Sequence, residues 1–158
     1  MVHVDTWCVA YRGIVPESHL DGLSYDESER LWQDVISAGE GRVFVAEDEG
    51  GIFGFASGGI RERFSRDLTE YEGELQTVYV LPSRKGSGAG GRLVRAVVNH
   101  LAERGVNSMV LWVFAENRSA RDFYESLGGV PVAEDSFEIG GARLAEVAYG
   151  WKDLGVLL

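Results

Sequence analysis

Apolar residues at Val4, Trp7, Cys8 and Tyr11 follow the i, i+3, i+4, i+7 spacing of one helical face. They predict a helix over residues 2–12 that Gly13 and Pro16 end. Residues 24–27 carry a capping box, Ser24 to Glu27, after which Leu31, Trp32, Val35 and Ile36 share a face until Gly39 stops the helix. From Arg42 the period changes. Residues 42–47 and 52–58 flank the pair Gly50-Gly51 and read as a β-hairpin, and residues 68–80 supply a third, partly alternating antiparallel strand. Helical spacing returns over 88–104, with Leu93, Val94, Val97, Val98 and Leu101 on the core side and Gly105 at the end. Residues 108–114 (SMVLWVF) are almost unbroken apolar, the pattern of a central strand buried on both faces. Asn117 caps a short helix whose apolar face is Ala120, Phe123, Tyr124 and Leu127, with Gly128-Gly129 as its stop. Residues 130–137 and 143–151 close the chain as a hairpin across Gly140-Gly141. Three strands, a helix, a strand, a helix and a hairpin make an α/β fold of helices around one mixed, mostly antiparallel sheet. No repeat or linker divides residues 1–158, so a single domain is expected.

Composition narrows the function classes. No apolar run approaches the roughly 18 residues of a membrane span, and nothing resembles a signal peptide, so a cytoplasmic protein with no membrane partner is expected. The single cysteine, Cys8, cannot form an internal disulfide, and its place on a helical face points to burial. A net charge of −10 argues against a nucleic-acid partner, because phosphate backbones require basic surface. Charge is unevenly spread. Between Arg84 and Arg121 lie seven Lys and Arg residues against two acids, so a basic island sits in an acidic chain.

That island coincides with a strand, a glycine-rich turn and a helix start in quick succession over residues 78–93 (VYVLPSRKGSGAGGRL). Such a junction aims bare backbone N–H groups and the positive end of a helix dipole at one spot, and glycines let the main chain approach an anion closely. A phosphorylated ligand is expected there. Residues 86–91 satisfy G-x-G-x-x-G literally, but a dinucleotide fold requires two βαβ halves, and the pattern of elements contains one. No Gly-Lys-Ser/Thr follows the glycines, which excludes a Walker-type loop.

Parsed instead as Lys85-Gly-Ser-Gly88-Ala-Gly90, after V-x-V-x-P and before Leu93, the loop resembles the acetyl-coenzyme A loop of the GNAT superfamily of N-acetyltransferases, Arg/Gln-x-x-Gly-x-Gly/Ala. Asn117 to Gly128 (NRSARDFYESLG) resembles that family's second signature, N-x-x-A-x-x-F/Y-Y-x-x-L-G-F, and the two together cover residues 43–151 in order and element type.

The resemblance implies acetyl-CoA as cosubstrate, no metal, and a primary amine on a small molecule or a protein as acceptor. It implies that Val78, Tyr79 and Val80 pair with the pantetheine arm. Gly86, Ser87, Gly88, Ala89, Gly90 and Gly91 would offer N–H groups to the pyrophosphate beside Lys85, and Asn117 would bind the pantetheine amide region. Tyr124 matches the general acid. Glu74 matches a position of the general base, with Glu72 as second carboxylate, and the Val80 N–H is the candidate oxyanion donor. A non-catalytic coenzyme A-binding or regulatory module on the same fold is the rival expectation. Lys85 departs from the family's Arg/Gln and Gly129 from its Phe, and no strand is legible before the first helix. That absent edge makes a homodimer an expectation. The acidic first 40 residues are compatible with a polyamine, an aminoglycoside or a protein amine as acceptor, and the apolar tail 155–158 has no predicted partner.

Overall fold

The structure is a computed structural model that describes residues 1–39, 41–61 and 68–158. Three helices come first: α1 (Val2–Ala10), α2 (Glu17–Asp21) and α3 (Tyr25–Ala38). Strands β1 (Arg42–Asp48), β2 (Gly51–Ile60) and β3 (Gly73–Val80) follow, then α4 (Ala89–Ala102), β4 (Met109–Phe114), α5 (Arg118–Ser126), β5 (Val130–Ile139) and β6 (Ala142–Trp151). One six-stranded sheet has the order β1-β2-β3-β4-β6-β5. Every neighbouring pair is antiparallel except β3 and β4. No strand precedes α1 among the described residues, so β1 and β5 are the sheet edges. No helix among the described residues is long and apolar enough to cross a membrane.

The predicted face of α4 is the main core. Leu93, Val94, Val97, Val98 and Leu101 are buried against Ala56, Leu75, Leu111, Val147 and Tyr149 of the sheet. Each such side chain contributes about 1.5–3 kcal/mol through the apolar area it removes from water. Glycines on β2 and β3 set how close α4 comes: a Cβ on Gly58 would lie 2.6 Å from Val97, and one on Gly73 2.7 Å from Leu101. The tail docks here too. Leu154 and Leu157 are buried in the same cluster, and the Arg95 side chain donates to the Leu157 carbonyl at 3.1 Å. The opposite face of the sheet is covered by α1 and α2, through Val15, Leu20, Trp7 and Tyr11 packed with Phe114, and by Leu68 and Tyr71 against Val110 and Ala148.

Four expectations change. The third strand starts at Gly73, not at Leu68. Leu68 and Tyr71 lie in a turn, where Tyr71 packs so tightly over β6 that a Cβ on Gly150 would sit 2.6 Å from its ring. The short helix α2 forms between Pro16 and Gly22, a stretch the apolar spacing leaves unassigned. The Ser24 capping box is present, with Ser24 Oγ accepting from the Glu27 N–H at 3.4 Å, yet the α3 face it introduces is not core: Leu31, Val35 and Ile36 are exposed and Trp32 is half-buried. Cys8 is half-buried, its Sγ 4.0 Å from the Leu20 carbonyl.

Candidate active site

Strands β3 and β4 pair at only two positions, Gly73 with Met109 and Glu74 with Val110, and then diverge. A β-bulge helps to drive them apart. In β3 the residue Gln76 is skipped between the pairs Gly58–Leu75 and Ser57–Thr77, and a bulge increases local twist. Beyond Glu74, β3 therefore keeps β2 on one side and has no strand on the other. Backbone groups left unpaired inside a sheet are costly unless something else bonds them. The result is a V-shaped gap whose mouth opens toward Val80 and Phe114.

The bulge also swaps faces. Leu75, Val78 and Val80 pack toward α4, while Thr77 and Tyr79 face α1 and α3. Strict alternation over β3 would place Tyr79 with Leu75. Glu74, opposite Gly59, lies on the α1 side and is half-buried; Glu72 is exposed and precedes the strand, its N–H donating to Ser108 Oγ at 3.0 Å.

Past Val80, a 3-10 turn at Pro82–Arg84 leads into the glycine loop. Gly86 and Gly88 adopt left-handed φ of +78° and +74°, which L side chains rarely take. Gly88, the N-cap of α4, has no side chain to cap it; Ser87 Oγ accepts from the Ala89 N–H at 3.4 Å, and the rest of the first turn presents main-chain N–H groups outward. The guanidinium of Arg92 folds back and donates to the Ser87 carbonyl at 3.2 Å, placing a cation on the loop itself. Lys85 is exposed at the loop's start. Arg84 is turned away, 2.6 Å from Asp48 in an ion pair across the β1-β2 hairpin. Gly90 serves packing as well: a Cβ there would meet the Phe123 ring at 3.2 Å, so the bare position lets α5 lie close against α4.

Helix α5 starts at Asn117, whose Oδ1 accepts from the Ala120 N–H at 3.2 Å. Its register is tied to β6. Arg121 donates to the Tyr149 hydroxyl at 3.0 Å and to the Ala115 carbonyl at 3.1 Å, and Tyr149 donates to Glu125 at 2.5 Å. This register brings Tyr124 into the core between Phe123 and Trp151. Burial first, then the nearby Tyr79 hydroxyl, pushes the Tyr124 phenol well above its ordinary pKa.

Three more aromatic residues converge from the other face, and the amphipathic pattern alone reads two of them as core. The Trp7 indole N–H donates to the Tyr79 hydroxyl at 2.9 Å. Tyr11 packs edge-on against both Trp7 and Phe114, with ring centroids 4.8 and 5.4 Å away. Burial is the main cause raising Tyr11, followed by Tyr79, with smaller contributions from Tyr124 and Glu146. Phenols from α5, β3 and α1 thus meet near the gap, and all three stay protonated at neutral pH. Their common signal in the sequence is weak, because aromatic residues at helical spacing usually mean core.

Beside this cluster, between α3 and the sheet, lies a cavity of about 550 Å³ whose walls include Trp7, Trp32 and Tyr79. A smaller one, about 360 Å³, lies between the start of α4, the end of α5 and the docked tail. No group of three or more metal-ligating side chains occurs among the described residues.

Known proteins share this fold. Residues 6–129 match the family model described as the Acetyltransferase (GNAT) family. An uncharacterized N-acetyltransferase of Bacillus subtilis, YuaI, is 43% identical over 99% of this chain and 87% of its own length. Among solved structures, the PaiA N-acetyltransferase of Thermoplasma acidophilum in complex with coenzyme A superposes with a TM-score of 0.69 at 18% identity, covering 92% of this chain and 87% of that one. The structure of yncA from Salmonella typhimurium with its cofactor acetyl-CoA gives 0.68 at 20% identity over 96% and 86%.

Proposed function

Because the chain belongs to the GNAT acetyltransferase family, we propose that it is a single catalytic domain moving the acetyl group of acetyl-CoA to a primary amine, by direct attack within a ternary complex. The observation that carries this reading is the gap between β3 and β4, which opens from the paired Glu74 toward a helix start whose N-cap, Gly88, has no side chain and which the left-handed Gly86 and Gly88 precede. A ligand with two amides in a linear arm fits an unpaired strand edge, as peptides do when they add to a sheet. A diphosphate fits the N–H groups of residues 86–91 beside Lys85 and Arg92. The side-chain amide of Asn117 lies at the start of α5 to meet the arm.

When bound, acetyl-CoA supplies an acyl group already activated as a thioester. The rest is proton management by this chain. An alkyl ammonium with pKa near 10.4 must lose a proton, which at pH 7 costs roughly 4–5 kcal/mol. Glu74, half-buried on the acceptor side of β3, is assigned to accept it through water. The leaving sulfur needs a proton, and Tyr124, held protonated by burial, is assigned to donate it. The Val80 N–H is assigned to the carbonyl oxygen.

Calorimetric titration should show acetyl-CoA binding with no heat from NADH, and thiol should be released steadily in the presence of amines. Binding without release across a broad amine panel would favour a regulatory module; saturable NADH binding would restore the dinucleotide reading. Arg92→Ala should raise the KM for acetyl-CoA about two- to fivefold, leave kcat alone, and lessen its salt dependence, the scale of one exposed charge. An unchanged KM would take Arg92 out of the phosphate site.

A further inference from the structure

We propose that the acceptor is an amine with an apolar, ring-bearing body, and that the 550 Å³ cavity under α3 holds that body. This rests on the acetyltransferase reading above and names its substrate class. Four features of the cavity support it.

The first is charge. Among the described residues, its lining pairs one carboxylate, Asp34, with one guanidinium, Arg42, and is otherwise mostly apolar and aromatic. A polyamine or an aminoglycoside is held best by an excess of carboxylates, which the described lining does not show. The second is apolar surface that the fold leaves unused. Leu31 and Val35 line the cavity and remain 50% and 37% exposed, although they belong to the one apolar face α3 possesses. A ring-sized ligand would cover them.

The third is a rigid aromatic corner. His3 stands edge-on to Trp7 and to Trp32, with centroids 5.5 and 5.8 Å away and interplanar angles of 82° and 88°. Its Nδ1 is bonded to Ser28 Oγ at 2.8 Å, and Trp32 packs edge-on against Phe55 at 4.7 Å. Flat walls meeting at right angles suit a planar guest. The fourth is Trp32 itself, a lining residue whose buried indole nitrogen has no hydrogen-bond partner among the described residues, so that no polar contact competes with ring packing on this wall.

Tyr79 joins this cavity to the transfer site. Its ring is part of the wall, and its hydroxyl belongs to the phenol cluster that includes Tyr124. A body lodged under α3 can therefore send an aminoalkyl arm past Tyr79 toward the gap, on the face that carries Glu74.

Binding of 4-methoxyphenethylamine and of spermidine to the whole protein, by calorimetry with and without acetyl-CoA, tests this apart from turnover. The arylalkylamine should bind at least tenfold more tightly than spermidine. Trp32→Ala should weaken it about tenfold while leaving acetyl-CoA affinity unchanged. Leu31→Asp, at a half-exposed position that the fold does not depend on, should narrow or reverse the preference. Spermidine binding as tightly as the arylalkylamine, or an arylalkylamine affinity unmoved by both substitutions, would overturn the proposal. Tight, Trp32-dependent binding without thiol release would support the ligand class and overturn the transfer reading instead.

Discussion

Replacing Tyr124 with Phe should lower kcat about a hundredfold while the KM for acetyl-CoA stays within about twofold, the signature of a lost general acid. The ring would keep its place, because what fixes it is the packing of Phe123, Trp151 and the α5 register, none of which uses the hydroxyl. Folding is therefore untouched and the loss reads on chemistry alone. A phenol raised by burial is a weak acid, which looks unsuited to protonating a thiolate whose pKa near 8.5 is that of cysteine. The same desolvation acts on the sulfur, however: a thiolate formed in this gap is also deprived of water, and its proton affinity rises with that of the tyrosine. Because Tyr124 does not titrate near neutrality, the loss should be uniform from pH 6 to 9. Glu74→Gln should also lower kcat while leaving acetyl-CoA affinity unchanged, because the amide cannot accept the ammonium proton. An unchanged kcat in the phenylalanine variant would remove Tyr124 as the acid.

What the sequence discloses and what it withholds divide along the range of the contacts. The face of α4, the capped starts of α3 and α5 and both hairpins rest on neighbours a few residues apart, and their spacing shows in the chain. The glycine loop is equally local: Gly86 and Gly88 take the backbone that only glycine adopts cheaply, so residue type alone reveals it. The start of β3 is different. Leu68 and Tyr71 have the composition of a strand, and only the ring of Tyr71 against Gly150, far along the chain, shows that they cannot continue the ladder. The bulge at Gln76 leaves no mark that alternation can read, yet it decides that Tyr79 faces the cavity and not α4. Helix α3 misleads for a related reason. An apolar face lining a cavity and an apolar face pressed on a sheet have the same spacing; the sheet's distance from Leu31 and Val35 is set elsewhere. The tail is legible only once Arg95 and the α4 core are in place to receive it.

Gly129, where the family pattern has Phe, supplies the second large effect. A Cβ at this position would lie 2.7 Å from the Trp151 ring and 2.9 Å from the Tyr124 carbonyl oxygen. The indole of Trp151, buried on β6 and anchored by its N–H on the Leu127 carbonyl at 3.0 Å, occupies the space a side chain at residue 129 would use. Gly129→Phe should therefore destabilise by about 3 kcal/mol, a Tm loss of roughly 6–12 °C for a chain of this size. Trp151→Ala should cost about 3–5 kcal/mol by emptying the same space. If the two positions exchange volume, the double variant should be at least 1 kcal/mol more stable than the sum of the single losses predicts. Denaturant titration of the four proteins measures that coupling; strict additivity would show that Trp151 does not stand in for the missing ring. Activity gives an independent reading of the same contact. The Gly129 N–H donates to the Tyr124 carbonyl at 3.0 Å, so forcing a side chain in at residue 129 pushes on the last turn of α5 and on the phenol it carries. Gly129→Phe should accordingly lower kcat even under conditions where the protein is fully folded, and Trp151→Ala in the same chain should restore part of it.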